Sequence, residues 1–390
     1  MFPSKTLLSV ILIALSAVDA SPVRRQAAPT TLSFTTRVNV RANTLSIVAA
    51  DRARAQAMVH SNNTSKRAGS SSFSISNAIT TYTAQVGVGS PATQYTLLID
   101  TGSSNTWVGA STPYKHTSTS VDTGNSVSVY YGSGSFSGEE YTDTVTLVAS
   151  QVQGFNNIDG ILGVGPTDLT EGTVSNVGSV PTVTDNLYSK GTIGTEALGV
   201  YFVPGGGAGE LTFGGSDSSK MTSSVNYVPL TTTSPASNYW GIDQSITYGN
   251  TTILSATAGI VDTGTTLILI ATDAFRKYQT ATGAVLDNTT GLLMITSAQY
   301  SNLQTLNFNI DGTNYGLTPN GQIWPRSRNT DIGGNSNSIY LIVNDIGSSS
   351  GSGLDFINGY SFLQRFYSVF DTTEHRVGLA TTSSTTATSN

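Results

Sequence analysis

Leu97-Leu98-Ile99-Asp100-Thr101-Gly102-Ser103-Ser104 and Gly259-Ile260-Val261-Asp262-Thr263-Gly264-Thr265-Thr266 are two copies of one pattern. In each, an apolar run ends in Asp-Thr-Gly and is followed by two hydroxyl residues. A single copy is an ordinary strand-to-turn junction, with the glycine supplying the turn. Two copies standing 162 residues apart carry more weight. They predict two lobes, each presenting one carboxylate to a shared cleft.

The sequence around these copies reads as mostly β. Short alternating segments are separated by turns rich in Gly, Ser, Thr and Asn, as sandwiches and barrels require. Tyr82 to Val88, the turn Gly89-Ser90-Pro91 and Gln94 to Ile99 form a hairpin delivering Asp100. Trp240 to Tyr248, the turn Gly249-Asn250 and the strand from Thr252 onward repeat that design toward Asp262. Helices are expected over Pro181 to Lys190, closed by Gly191, and over Thr272 to Thr282, capped by Thr272 and stopped by Gly283. A third is expected over Thr296 to Leu303. The echo predicts two similar β-barrel-like lobes with a cleft between them, the boundary lying near Thr231 to Ser237.

The first 67 residues differ from the rest. Lys5, an apolar run from Leu7 to Ala17 and the small-residue end Val18-Asp19-Ala20 read as a secretory signal over 1–20. Eleven apolar residues are too short to cross a bilayer, so a secreted, extracellular protein is expected, with no membrane partner. Nine of the 18 Lys and Arg residues lie in residues 1–67, against only Asp19 and Asp51, which leaves a net charge of −13 from residue 68 onward. A basic leader on an acidic body suggests complementary pieces of one precursor. Residues 21–67 therefore read as a pro-segment acting as an intramolecular inhibitor, with a dibasic cut at Lys66-Arg67. The alternative is a disordered leader of incidental charge. The body divides as an N-terminal lobe over 68–232 and a C-terminal lobe over 233–390. Asn250-Thr251-Thr252 and Asn288-Thr289-Thr290 are N-glycosylation sequons, and a glycoprotein is expected.

Composition removes several chemistries. The chain has no cysteine, so thiol catalysis, thiolate metal sites and disulfides are excluded. Histidine occurs only as His60, His116 and His375, and neither a G-x-S-x-G elbow nor an H-E-x-x-H zinc motif is present. No metal, cofactor or nucleic-acid partner is expected, and the protein is read as a monomer. Paired aspartates remain. Two carboxylates ~4 Å apart at an effective dielectric of ~20 repel by about 4 kcal/mol, so the pair tends to share one proton. Such a pair holds a base for a water and an acid for a carbonyl side by side. Thr101 and Thr263 offer hydroxyls to lock the two loops together. Gly102 and Gly264 allow tight turns, and Ser103 and Thr265 can hydrogen-bond the carboxylates.

Long stretches of the chain resemble the pepsin-like aspartic proteases, and within them the polyporopepsin-type enzymes of basidiomycete fungi, which also lack cysteine. Asp100 to Val108 is similar to the family's first active-site signature and Gly259 to Leu267 to its second. The resemblance covers Ala68 to Asn390. It implies a bilobal, mostly β fold and an endopeptidase made as a zymogen. Such an enzyme cuts protein or peptide substrates at acid pH, with apolar residues preferred around the cut and Asp100 and Asp262 catalytic. It also implies that Tyr131-Gly132-Ser133 belongs to a flap closing over substrate, that Trp107 is the hydrogen-bonding partner of Tyr131, and that Ile158 and Ile161 line an apolar subsite. Core packing is the competing reading for the two isoleucines. Two departures stand out. Asn358 replaces a usual aliphatic residue in Phe356-Ile357-Asn358-Gly359, and Tyr131 to Asp159 spans only 28 residues, short by about one strand after Leu147. A cleft that binds without cutting, or a two-carboxylate glycosidase, are the other functional readings. The intact Asp-Thr-Gly pair argues against the first, and a supply of only three tryptophans against the second.

Overall fold

The computed structural model describes residues 29–38, 46–60, 80–130, 135–147, 158–205 and 208–388. The expected signal, the dibasic cut, the flap residues Tyr131, Gly132 and Ser133, and the short stretch after Leu147 lie outside them. The architecture is mostly β, with two large curled sheets.

The first sheet holds the hairpin predicted around Gly89. Strand β1 (Thr30–Val38) pairs antiparallel with β2 (Thr80–Val88), and β2 with β3 (Thr93–Asp100). The apolar side chains of Tyr95, Leu97 and Ile99 alternate into the core of β3, fully buried, each contributing about 1.5–3 kcal/mol of burial. Beyond β3 the sheet continues parallel into the strand Gly160–Gly163 and then antiparallel into β4 (Trp107–Val108). The parallel step leaves the C-terminal end of β3, and Asp100 with it, at the edge of the sheet opposite Gly163.

The second sheet repeats the device. Strand Thr251–Val261 pairs antiparallel with Gly241–Tyr248 and parallel with Phe356–Asn358. Asp262 follows its end, and its N–H donates to Asn358 O at 3.2 Å. Ile268–Ile270 runs antiparallel to Phe356–Asn358 and parallel to Val343–Asp345.

Strands late in the sequence join the first sheet. Phe366–Asp371 and Arg376–Thr381 extend it beside Ala197–Tyr201 and Asn226–Pro229, so the sheet spans the sequence boundary expected near 231–237. The two halves also meet through Trp240, whose indole N–H donates to Val164 O at 3.3 Å.

Helices are short apart from α1 (Ile47–His60), which lies in the basic leader and was not expected from the sequence. Helix α2 spans Val183–Ser189, capped by Thr182 in a box with Asp185, starting two residues after the expected Pro181 and ending one before Lys190. Helix α3 (Thr272–Thr282) ends as expected at Gly283, whose φ of 66° is the left-handed cap conformation. Its N-cap is Ala271 rather than Thr272: Ala271 is the last non-helical residue and its carbonyl accepts the first helical bond, from Phe275 N–H at 2.8 Å, while the Thr272 hydroxyl donates to Asp345. Helix α4 (Ser297–Ser301) begins after Thr296, which forms a capping box with Gln299.

Candidate active site

Asp100 and Asp262 are fully buried, one from each sheet, and their loops are built alike. Gly102 N–H donates to Asp100 Oδ1 at 3.0 Å and Ser103 Oγ to Oδ2 at 2.5 Å. In the other loop Gly264 N–H donates to Asp262 Oδ1 at 3.0 Å and Thr265 Oγ1 to Oδ2 at 2.6 Å. These donors favour the charged form of each group. The loops face one another so closely that a Cβ on Gly102 would lie 2.6 Å from Asp262 Oδ1, and one on Gly264 2.5 Å from Asp100 Oδ1. Glycine is the residue that lets them meet.

The threonines between Asp and Gly tie the halves together. Thr101 N–H donates to Thr263 Oγ1 at 3.0 Å and Thr263 N–H to Thr101 Oγ1 at 2.9 Å. Each hydroxyl then donates across the interface, Thr263 Oγ1 to Ile99 O at 3.1 Å and Thr101 Oγ1 to Val261 O at 3.5 Å. The buried hydroxyls are thus satisfied on both sides, and the relative position of the aspartates is fixed by four bonds.

A guanidinium sits between the carboxylates. Arg54, on α1, places Nη2 2.5 Å from Asp100 Oδ1 and 3.1 Å from Asp262 Oδ1, with Nε 2.8 Å from Asp262 Oδ2. One nitrogen touching an oxygen of each group means the two carboxylates converge. Burial pushes both aspartates up, but the outcomes differ. For Asp262 the charge and hydrogen bonds of Arg54, with the Thr265 and Gly264 donors, outweigh burial and hold it below the ordinary range. For Asp100 burial, reinforced by the Asp262 charge, prevails over Arg54 and the Ser103 and Gly102 donors, and it is raised. Both shifts belong to the docked state, in which the guanidinium of Arg54 stabilises the charge on Asp262 more than that on Asp100.

The rest of α1 is seated on the second half. Asp51 is buried and accepts from Thr266 N–H at 3.1 Å and Leu267 N–H at 2.8 Å; burial, partly offset by these bonds and by Arg54, pushes it up to about 7. Arg52 lies 3.5 Å from Asp345 Oδ2. Ile47, Val48, Ala55 and Met58 are buried.

Trp107 is half-buried and stacks on Phe136, ring centroids 4.6 Å apart; Phe136 pairs with Val129 toward the turn end of the hairpin Val121–Thr142. Ile161 is buried opposite Trp107, and Ile158 is half-buried. Asn358 is buried and exchanges amide bonds with Gln244, its Nδ2 donating to Gln244 Oε1 at 2.8 Å and its Oδ1 accepting in return at 3.2 Å. In the first half the same place beside the aspartate-bearing strand is taken by the apolar Leu162. Sequence reading marked Asn358 but could not see Gln244, Asp51 or Asp345. Among the described residues no three His, Asp or Glu side chains are grouped to hold a metal ion.

Two β halves locked by reciprocal threonine bonds, each offering one buried aspartate to the other, define a hydrolase of the paired-carboxylate class. The chain belongs to the eukaryotic aspartyl protease family, whose model matches residues 81–382. It is 62% identical over 332 residues to polyporopepsin of Irpex lacteus, a match covering 80% of this chain and 98% of that one. Pig pepsin A is 31% identical, the match covering 77% of this chain and 81% of the relative. The crystal structure of an aspartic proteinase from Irpex lacteus superposes with a TM-score of 0.76 at 64% identity, covering 80% of this chain and 96% of that one. This protein is an aspartic endopeptidase, and peptides are its substrates.

Proposed function

We propose that the protein is a secreted, monomeric acid endopeptidase made as a zymogen, with residues 1–20 as signal, 21–67 as pro-segment, and the lobes 68–232 and 233–390 as the mature enzyme. Asp100 and Asp262 are its catalytic pair. In the free enzyme they share one proton. The ionised member takes a proton from a water bound between them while the protonated member hydrogen-bonds the scissile carbonyl. The water attacks the carbonyl carbon, and the tetrahedral intermediate collapses as the leaving nitrogen takes up a proton. The titration belongs to the pair. Thr101, Thr263, Gly102, Gly264, Ser103 and Thr265 hold the geometry. Tyr131, Gly132 and Ser133 close over the substrate above Trp107, and Ile158 and Ile161 favour apolar residues near the cut.

The observation that carries this reading is Arg54 bonded to both carboxylates from a helix of the basic leader. A cation in that position neutralises the pair and occupies the space a substrate carbonyl and water would need. Acidification protonates the carboxylates, the Arg54 contacts lose their electrostatic partner, and α1 is released before cleavage near Lys66-Arg67. Secretion is supported by the leader composition, and no described helix is long and apolar enough to cross a membrane.

The test is digestion of denatured globin at acid pH, with and without a statine-type inhibitor. Hydrolysis abolished by the inhibitor and by Asp262→Asn supports the reading. Hydrolysis that survives both refutes it.

A further inference from the structure

Helix α1 lies across the paired aspartates, so the groups it touches are those that face the cleft once it leaves. Most of its buried side chains are apolar: Ile47, Val48, Ala55 and Met58. Arg54 is accounted for by the dyad. Arg52 is the other cation. Its Nε donates to Asp345 O at 3.1 Å and its Nη2 lies 3.5 Å from Asp345 Oδ2. We infer that Asp345 forms a subsite of the substrate cleft that takes a cationic side chain, Lys or Arg, of the peptide being cut. The inference rests on the protease and pro-segment reading above.

Asp345 is held in place by the lobe itself, independently of α1. Its Oδ1 accepts from Thr272 Oγ1 at 2.6 Å and from Gly347 N–H at 2.8 Å. Its own N–H donates to Asn344 Oδ1 at 2.8 Å, and the next residue is stapled by Ile346 N–H to Ile270 O at 2.9 Å. With Oδ1 occupied, Oδ2 is the oxygen turned toward the helix. The side chain is 19% exposed even with Arg52 in contact. Gly347 packs against the aliphatic stem of Arg52, since a Cβ there would lie 3.2 Å from Arg52 Cδ. A fixed carboxylate beside a glycine, whose lack of a side chain leaves room for a stem, suits a long cationic side chain, whose stem passes over Gly347 while its head reaches the acid. Removing α1 leaves that carboxylate fixed, facing the cleft and without its cation. A substrate Lys or Arg then takes the place of Arg52.

The test uses the acid-activated mature enzyme and its Asp345→Asn variant. The substrates are one apolar parent octapeptide and a series in which each position in turn carries Arg or Gln. Asn keeps an oxygen for Thr272 and Gly347, so the socket is retained; Asp345→Lys is the second variant. At one position Arg should exceed Gln about five- to ten-fold in kcat/KM, as one charge-assisted contact at a partly exposed site allows. Asp345→Asn should erase that preference, the Arg-to-Gln ratio being read within each variant, and Asp345→Lys should invert it when Glu is placed there. Cleavage of the parent with no position at which the variants alter an Arg preference overturns the inference alone, leaving Arg52–Asp345 as a latch of the leader. Failure of the wild-type enzyme to cut any peptide overturns the protease reading, and this inference with it.

Discussion

Replacing Arg54 by Met removes the cation from between Asp100 and Asp262 while keeping a stem of similar length in the buried helix face. In the docked state Arg54 makes three bonds of 2.5, 2.8 and 3.1 Å to two fully buried carboxylates. Removing one partner of a buried, hydrogen-bonded ion pair costs about 3–5 kcal/mol. The dyad can take up a proton when Arg54 is gone, which softens the loss toward the lower figure. About 3 kcal/mol corresponds to docking of α1 weakened roughly 100-fold. The assay is binding of a statine-type peptide at neutral pH to the full chain with Lys66 and Arg67 changed to Gln, so that the leader stays attached. The inhibitor competes with α1 for the dyad, and Arg54→Met should tighten its apparent Kd by about 100-fold. Arg54→Lys should fall between, since an ammonium is a point charge without the planar fork. A folded Arg54→Met variant whose apparent Kd stays within about twofold of the parent would show that Arg54 does not hold the helix.

Asp51 should act in the opposite sense to Arg54. Its docked pKa of about 7 against an ordinary 3.8 means that docking takes up a proton, so its contribution favours the docked helix below pH 3.8 and is lost as pH rises through 7. Asp51→Asn should hold α1 more tightly at pH 7 and leave it unchanged below about pH 4, making the release profile steeper on acidification; an unaltered slope contradicts this. Changing Gln244 or Asn358 singly to Leu should cost about 1–3 kcal/mol in chemical denaturation, because each leaves a buried amide unpaired, whereas the double change should restore most of it. Additive losses would mean the two amides are not coupled. Thr101→Ala should lower thermal stability by about 1–3 kcal/mol and reduce kcat more than KM, with Thr101→Ser recovering both; a variant with unchanged kcat would detach the threonine lock from the chemistry.

The paired aspartates were legible because Asp-Thr-Gly occurs twice with the same flanks, and local turn chemistry dictates the bonds around each copy. Gly102 and Gly264 bond their aspartates as any such turn would, and the threonine hydroxyls had one sensible direction to point. The hairpins and the stop at Gly283 were legible for the same local reason. Helix α1 was not. Its two arginines, buried or half-buried against a carboxylate cleft, break the apolar periodicity by which a docked helix is recognised, although Ile47 to His60 contains no Gly or Pro. The partners of Asn358 and Arg52 were equally hidden. Gln244 lies 114 residues from Asn358 and Asp345 lies 293 from Arg52, and no single sequence announces such pairings. The same holds for Phe366–Asp371, whose place beside Ala197–Tyr201 is set by the assembled sheet. Thr272 misled because the helical ladder already begins at the carbonyl of Ala271, and its hydroxyl serves Asp345 outside the helix.

The most direct measurement is kcat/KM of the mature enzyme on one peptide for Asp100→Asn, Asp262→Asn and the double variant. Groups that work as a unit are non-additive. Each single change should therefore lose at least about 1,000-fold, and the double should lose no more than either. Substantial activity in one single variant, or a double loss equal to the product of the singles, would contradict the account.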